Sequence, residues 1–200
     1  MLRLIAIARL AAIAAACAVT ASCTSLNRLG TDKAIDAARD SVVVLGVSPP
    51  NHRIQLFAGD VKDGVWHQHL LGVASFFGAA ENGYVLTKVG SDKTLAIALI
   101  VIVADEKKIL GDMYTPCGDA RTVVFKVPPG KVLYLSDFEF AQEGNRLVFK
   151  FGPDLARARS FVDANYPSLE GRLEQGAFEL MPTSTACGTG TVYVPIFIPR

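Results

Sequence analysis

The sequence predicts a mainly β fold: an antiparallel β-sandwich of seven to nine strands with one α-helix in the C-terminal half. Short apolar or alternating segments, separated by Gly, Pro, Asn and Asp, follow one another from residue 41 onward, a pattern typical of a sandwich or barrel. Half of the 200 residues are hydrophobic, which is enough for one domain with a substantial core. We therefore expect a single sandwich domain over residues 41–200.

Nine segments carry the β pattern. The most apolar of them, residues 94–104, is too short to cross a bilayer and rich in β-branched residues, so we interpret it as a central strand. The last contains Pro195, which has no amide proton to donate, so we expect it at a sheet edge. The nine predicted strands are residues 42–47, 53–58, 65–71, 84–89, 94–104, 122–127, 132–140, 146–151 and 191–198.

The best-defined local element is a β-hairpin over residues 138–151. A two-residue turn at Gly144 and Asn145 suits the positive φ that a type II′ turn demands. This turn makes one face of the hairpin aromatic and places opposite charges across the other. The expected cross-strand pairs are Phe140–Phe149, Glu139–Lys150 and Phe138–Phe151.

An amphipathic helix is predicted between Pro153 and Pro167, because the first proline can begin a helix and the second ends it. We expect it to pack across an edge or end of the sandwich. Arg157 and Arg159 lie off its apolar face and are interpreted as solvent-exposed. A further turn or two of helix is expected within residues 168–175. The apolar face consists of Leu155, Ala158, Phe161 and Val162.

The first 22 residues have the pattern of a secretory signal peptide. Arg3 and Arg9 supply positive charge, residues 10–19 form an almost uninterrupted apolar run, and small residues follow. This run is too short to span a membrane. Removal of residues 1–22 leaves 18 basic and 19 acidic residues, a balance that does not favour a nucleic-acid binder.

Residues 19–23 resemble a bacterial lipobox, in which small residues precede a cysteine that is acylated before cleavage. The resemblance implies that Cys23 carries the lipid and that residues 23–40 form a polar tether with a helical turn in its second half. Thr20 stands where lipoboxes usually have Leu, and Cys17 is a second, weaker candidate. The chain as a whole resembles proteobacterial lipoproteins of unknown function.

Cysteine parity favours acylation at Cys23. Cleavage there removes Cys17 and leaves two thiols, Cys117 and Cys187, for the oxidising compartment, which predicts one disulfide. Such a bond closes a loop of 70 residues and would stabilise the fold by roughly 4 kcal/mol in the chain-entropy model. The alternative, a soluble periplasmic protein with an ordinary signal peptide, would leave an odd cysteine.

A second resemblance concerns residues 127–135. They resemble the Pro-Gly turn that leads into an apolar strand in prealbumin-like sandwich domains. The resemblance implies a β-sandwich and brings no catalytic residue with it.

His67 and His69 are the candidate metal ligands, because residues i and i+2 on a strand point to the same face. Two side chains are too few to form a metal site, and the sequence spacing does not place a third ligand near them. The interpretation that we favour is an exposed polar strand face, with Trp66 turned to the core. The candidate third ligands are His52, Asp60 and Asp63.

The sequence contains no assembled active-site signature such as G-x-S-x-G, H-E-x-x-H or C-x-x-C. Cys117 has no base signalled nearby, which argues against a nucleophile. The phenylalanines of the hairpin and the Phe76–Phe77 pair are interpreted as core rather than as a ligand groove. We expect a non-catalytic binding or structural protein without a cofactor, lipid-anchored at the outer membrane, with its domain in the periplasm. The membrane and an envelope protein are the candidate partners. The alternative is a metal-binding or metal-dependent periplasmic protein.

Overall fold

The computed structural model describes residues 26–33, 35–36, 40–105, 108–187 and 192–193. The predicted signal peptide, Cys17 and Cys23 lie outside these residues. The described part is mainly β, as predicted, with one α-helix. The elements are β1 (Ser41–Ser48), β2 (His52–Lys62), β3 (Val65–Gln68), β4 (Phe76–Ala79), β5 (Tyr84–Val89), β6 (Thr94–Ile102), β7 (Asp112–Pro116), β8 (Arg121–Lys126), β9 (Val132–Glu143), β10 (Arg146–Gly152), α1 (Leu155–Asn165), a 3₁₀ turn (Pro167–Leu169), β11 (Leu173–Gln175), β12 (Glu179–Pro182) and β13 (Val192–Tyr193).

Sheet A consists of β2, β3, β4, β6, β7, β8 and β12, and its ladders are antiparallel. β2 and β6 form its centre. On the outer edge of β2, β4 pairs with the first half of the strand and β3 with the second half. The β3–β4 loop, residues 69–75, therefore lies beside the middle of β2.

Sheet B contains both parallel and antiparallel pairs, whereas the sequence predicted antiparallel pairing throughout. Its order is β5-β1-β9-β10-β13-β7, and the pairs β1/β9, β10/β13 and β13/β7 are parallel. β11 also runs parallel to the first part of β9. Hairpin connections impose antiparallel pairing, but strands β2 to β8 lie between β1 and β9 in the chain, so no turn constrains their relative direction. β7 pairs in both sheets and joins them along one side.

The main core lies between the two sheets. Val43, Leu45 and Val47 of β1 point into it, because alternate residues of a strand share a face. The β9–β10 hairpin has the predicted register, and Gly144 has the predicted positive φ of 60°. Its aromatic face packs into the same core, where the rings of Phe140 and Phe149 are 5.6 Å apart.

Helix α1 covers the outer face of sheet B, whereas we expected it across an edge or end. It begins as predicted after Pro153, with the Asp154 side chain accepting a hydrogen bond from the backbone N–H of Arg157, an N-cap. Ala158 and Val162 are buried against the second apolar face of β1. Both faces of β1 are apolar, which is why sheet B is buried on two sides.

The N-terminal segment, residues 26–29, joins the edge strands of both sheets. Backbone hydrogen bonds link Leu26 with Phe77 of β4, at 2.6 and 3.2 Å, and Leu29 with Leu86 of β5, at 3.0 Å. Leu29 is 5% exposed and packs beneath α1. The folded part therefore includes residues 26–29, which we expected to belong to the tether over residues 23–40. Backbone pairing and a single buried leucine leave little trace in the sequence pattern.

The predicted disulfide is present. Cys117 and Cys187 are bonded, with their Cα atoms 5.0 Å apart. The bond ties the β7–β8 turn to the chain that follows β12. Within the described residues, no helix is both long and apolar enough to cross a bilayer.

Two predictions near the C terminus are wrong. The segment 168–175 is not helical beyond the 3₁₀ turn, because its last residues pair with β9 as β11. β13 lies between β10 and β7 rather than at an edge. Pro195, on which the edge prediction rested, lies outside the described residues.

Replacement of Leu29 tests whether the N-terminal segment is part of the core. We expect Leu29→Ala to lower the free energy of unfolding by at least about 2 kcal/mol, because it removes a buried side chain and leaves a cavity. Leu70→Ala is the matched control, since that side chain is fully exposed, and its effect should stay within about 0.5 kcal/mol. Urea denaturation measures both. Equal effects would show that the segment adds nothing to the core.

Candidate functional site

His67 and His69 do not assemble into a metal site in the described residues. Trp66 is turned into the core as expected, and His69 is half exposed just after β3. The His69 Nε2 atom lies 3.1 Å from Asp60 Oδ2, a carboxylate that is also exposed. His69 therefore contacts one of the candidate third ligands, Asp60, and it does so at the protein surface.

The other candidate ligands lie elsewhere. His52 is at the opposite end of β2 from Asp60, and eight strand residues span roughly 26 Å. Asp63 lies in the β2–β3 turn with a φ of 53°. No group of three His, Cys, Asp or Glu side chains able to hold a metal occurs among the residues that the structure describes.

Replacement of both candidate ligands tests the metal hypothesis. We expect His67→Ala with His69→Ala to change the free energy of unfolding by less than about 0.5 kcal/mol, because substitutions at such surface positions rarely do more. Metal analysis of the purified protein and thermal melts measure the outcome. Stoichiometric metal that is lost in the double variant, with a clearly lower melting temperature, would contradict this expectation, since the energy of a structural metal is folding energy.

His52 is a buried histidine. It is 4% exposed, stacks on Phe140 with ring centroids 5.7 Å apart, and its Nδ1 lies 3.0 Å from the Asn51 Oδ1 atom. Its Nε2 has no hydrogen-bond partner among the described residues. Burial lowers the pKa of His52 to about 4, against a weaker opposing effect of the Pro49 carbonyl. The ring is therefore neutral at physiological pH and serves packing.

This environment gives the protein a pH-dependent stability. As the pH falls below 6.5, His52 becomes protonated in the unfolded chain, whereas in the folded protein it stays neutral until about pH 4. The free energy of unfolding should therefore fall across this interval, by as much as about 3 kcal/mol. Urea denaturation at several pH values measures the slope. His52→Gln should flatten it, whereas the exposed control His69→Gln should keep the wild-type slope; an unchanged slope in His52→Gln would contradict the assignment.

A group of polar side chains lies where α1 meets sheet B. A cavity of about 160 Å³ opens there, and we call it the α1 pocket. The Arg157 guanidinium donates a hydrogen bond to the Asp137 carboxylate at its wall. The same guanidinium lies 5.9 Å from the centre of the Tyr84 ring, within cation–π range. The α1 pocket is lined by Val47, Ser48, Gly83, Asp137, Phe138, Glu139 and Arg157.

Two buried oxygens beside the α1 pocket have no hydrogen-bond partner among the described residues: Asp137 Oδ1 and the Tyr84 hydroxyl. A buried polar atom is normally satisfied, and an exception points to a bound water, an ion or a ligand group. Tyr134 is satisfied, because its hydroxyl accepts a hydrogen bond of 3.0 Å from the backbone N–H of Asp154. Burial raises the pKa of Tyr84 and of Tyr134. Both hydroxyls therefore stay protonated near neutral pH.

Local sequence explains how Asp137 reaches this position. β9 has a bulge between Tyr134 and Asp137, which places Asp137 opposite Gly46 of β1. A Cβ atom at Gly46 would come within 1.9 Å of Asp137 Oδ1, so only glycine allows this approach. The single glycine inside an apolar strand was the available signal for the site. We interpreted Arg157 as solvent-exposed instead; its side chain is largely exposed, but its guanidinium is paired with Asp137.

A second concavity is apolar. A groove of about 410 Å³ lies beside β9 and β10, where the rings of Phe151 and Phe178 are 5.2 Å apart. The hairpin phenylalanines that we interpreted as core are indeed packed in the interior, and only Phe151 borders this groove. Phe76 is also buried, as expected, whereas Phe77 is only half-buried, so the interpretation of the pair as core holds for Phe76 alone.

The chain was compared with known proteins at three levels. No protein-family model, curated protein sequence or solved structure matches it.

Proposed function

We propose that this chain is a lipid-anchored protein of the bacterial cell envelope whose folded domain has a non-catalytic binding or structural role. The observation that carries the proposal is the disulfide between Cys117 and Cys187. Disulfides form and persist in oxidising compartments such as the periplasm. These two cysteines are also the pair that remains if residues 1–22 are removed and Cys23 is acylated.

The binding role is supported by the α1 pocket. The cavity is lined by the Asp137 carboxylate, one oxygen of which has no hydrogen-bond partner among the described residues, and by the Arg157 guanidinium. Such groups suit a small polar group that donates hydrogen bonds to Asp137.

The residue that follows Cys23 indicates a location within the envelope. Thr24 follows Cys23 at the position where some Gram-negative lipoproteins have an inner-membrane-retaining Asp, so we propose sorting to the outer membrane, with the domain in the periplasm. An envelope protein is the proposed macromolecular partner. A relationship to proteobacterial lipoproteins and to prealbumin-like sandwich domains is part of the same proposal and rests on residues 19–23 and 127–135.

Replacement of the acylated cysteine tests the anchor. We expect Cys23→Ala to carry no acyl chain and either to remain unprocessed or to appear in the soluble fraction, because the thiol is the acceptor of the lipid. Mass spectrometry and membrane fractionation measure both results. Cys17→Ala is the matched control and should be processed as the wild type is. A Cys23→Ala protein that matures and partitions with membranes would overturn the proposal.

A further inference from the structure

The β3–β4 loop has an apolar tip that faces solvent. Leu70, Leu71 and Val73 are 96%, 102% and 78% exposed, and residues 70–74 carry no charge. Scattered single apolar residues on a surface need no explanation, whereas a contiguous apolar group commonly marks a contact with a membrane or a partner.

The tip is held in a fixed place on the domain. At the loop's two ends, His69 N–H donates to Ala58 O at 3.0 Å and Ser75 N–H donates to Leu56 O at 2.8 Å. Within the loop, Gly72 N–H donates to His69 O at 3.3 Å. Both ends are thus attached to β2, and the three apolar side chains project from a short turn between them.

The N-terminal segment lies directly beside this loop. Asn27 Nδ2 donates to Ser75 O at 3.1 Å, and Leu26, which is itself partly exposed, pairs with Phe77. Cys23 precedes Leu26 by three residues, and three extended residues reach no more than about 11 Å. A lipid on Cys23 therefore holds this side of the domain close to the bilayer.

A second exposed apolar group, in the β6–β7 loop, lies farther from the N-terminal segment. It contains Leu110, which is 84% exposed. In sheet A, β2 and β6 lie between β4, which bonds to Leu26, and β7. The β3–β4 loop is therefore the better placed of the two to meet a membrane at the anchor.

We propose that the tip of the β3–β4 loop inserts into the bilayer surface next to the acylated cysteine. The inference rests on the proposed lipid anchor. Leu70, Leu71 and Val73 enter the boundary between headgroups and acyl chains, while the backbone stays at the headgroup level, where its polar groups can still be hydrated. The loop is a second contact that fixes the orientation of the domain on the membrane.

The test uses the mature acylated protein in vesicles of phosphatidylethanolamine and phosphatidylglycerol whose acyl chains are partly brominated. Leu71→Trp places a fluorophore at the tip, Leu110→Trp is the matched control at an exposed site across sheet A, and the wild type gives the background of its buried Trp66. We expect a blue shift and loss of emission for Leu71→Trp, and neither for Leu110→Trp. Circular dichroism checks that both variants keep the wild-type fold.

The possible outcomes distinguish a failure of the loop contact from a failure of the lipid anchor. A protein without an acyl chain by mass spectrometry refutes the anchor and leaves the protein off the vesicles altogether. An acylated, vesicle-bound Leu71→Trp protein without quenching refutes the loop contact alone, as does quenching at Leu110→Trp equal to that at Leu71→Trp. A blue shift that appears in detergent together with dimers in sedimentation, without quenching in vesicles, would assign the tip to a second copy of the chain and overturn the proposal.

Discussion

The fold depends on the burial of β1 on both of its faces. Val43, Leu45 and Val47 enter the core between the sheets, and Val42 and Val44 enter the layer beneath α1. A strand buried on both sides loses the alternation of apolar and polar residues and needs partners above and below. Sheet A supplies one cover, and α1 with the N-terminal segment supplies the other. The molecule is therefore a sandwich with an additional helical layer on sheet B.

Local features of the fold could be predicted from the sequence. The register of the β9–β10 hairpin follows from alternation and turn chemistry within 14 residues of the chain. Helix α1 follows from two prolines and an apolar stripe, and the disulfide follows from cysteine parity. These signals are strong because each is contained in a short stretch and several of them agree.

Long-range features could not be predicted in the same way. The parallel pairing of β1 with β9 joins strands about 90 residues apart, and no local pattern records such a partner. The short strands β4 and β11 have too few residues for a periodic signal. The α1 pocket depends on a bulge in β9 that brings Asp137 to Gly46, so neither residue identifies the site without the other. His67 and His69 gave a motif-like spacing, but no group of three side chains able to hold a metal forms among the described residues.

The N-terminal segment protects copies of this chain from pairing with one another through their strand edges. Unpaired edge strands are templates for pairing with another molecule. Residues 26–29 hydrogen-bond to the free edges of β4 and β5, while β7 and β13 join the sheets on the other side. A processing event that removed this segment would uncover two strand edges at once and turn a self-contained domain into one prone to strand exchange with its neighbours.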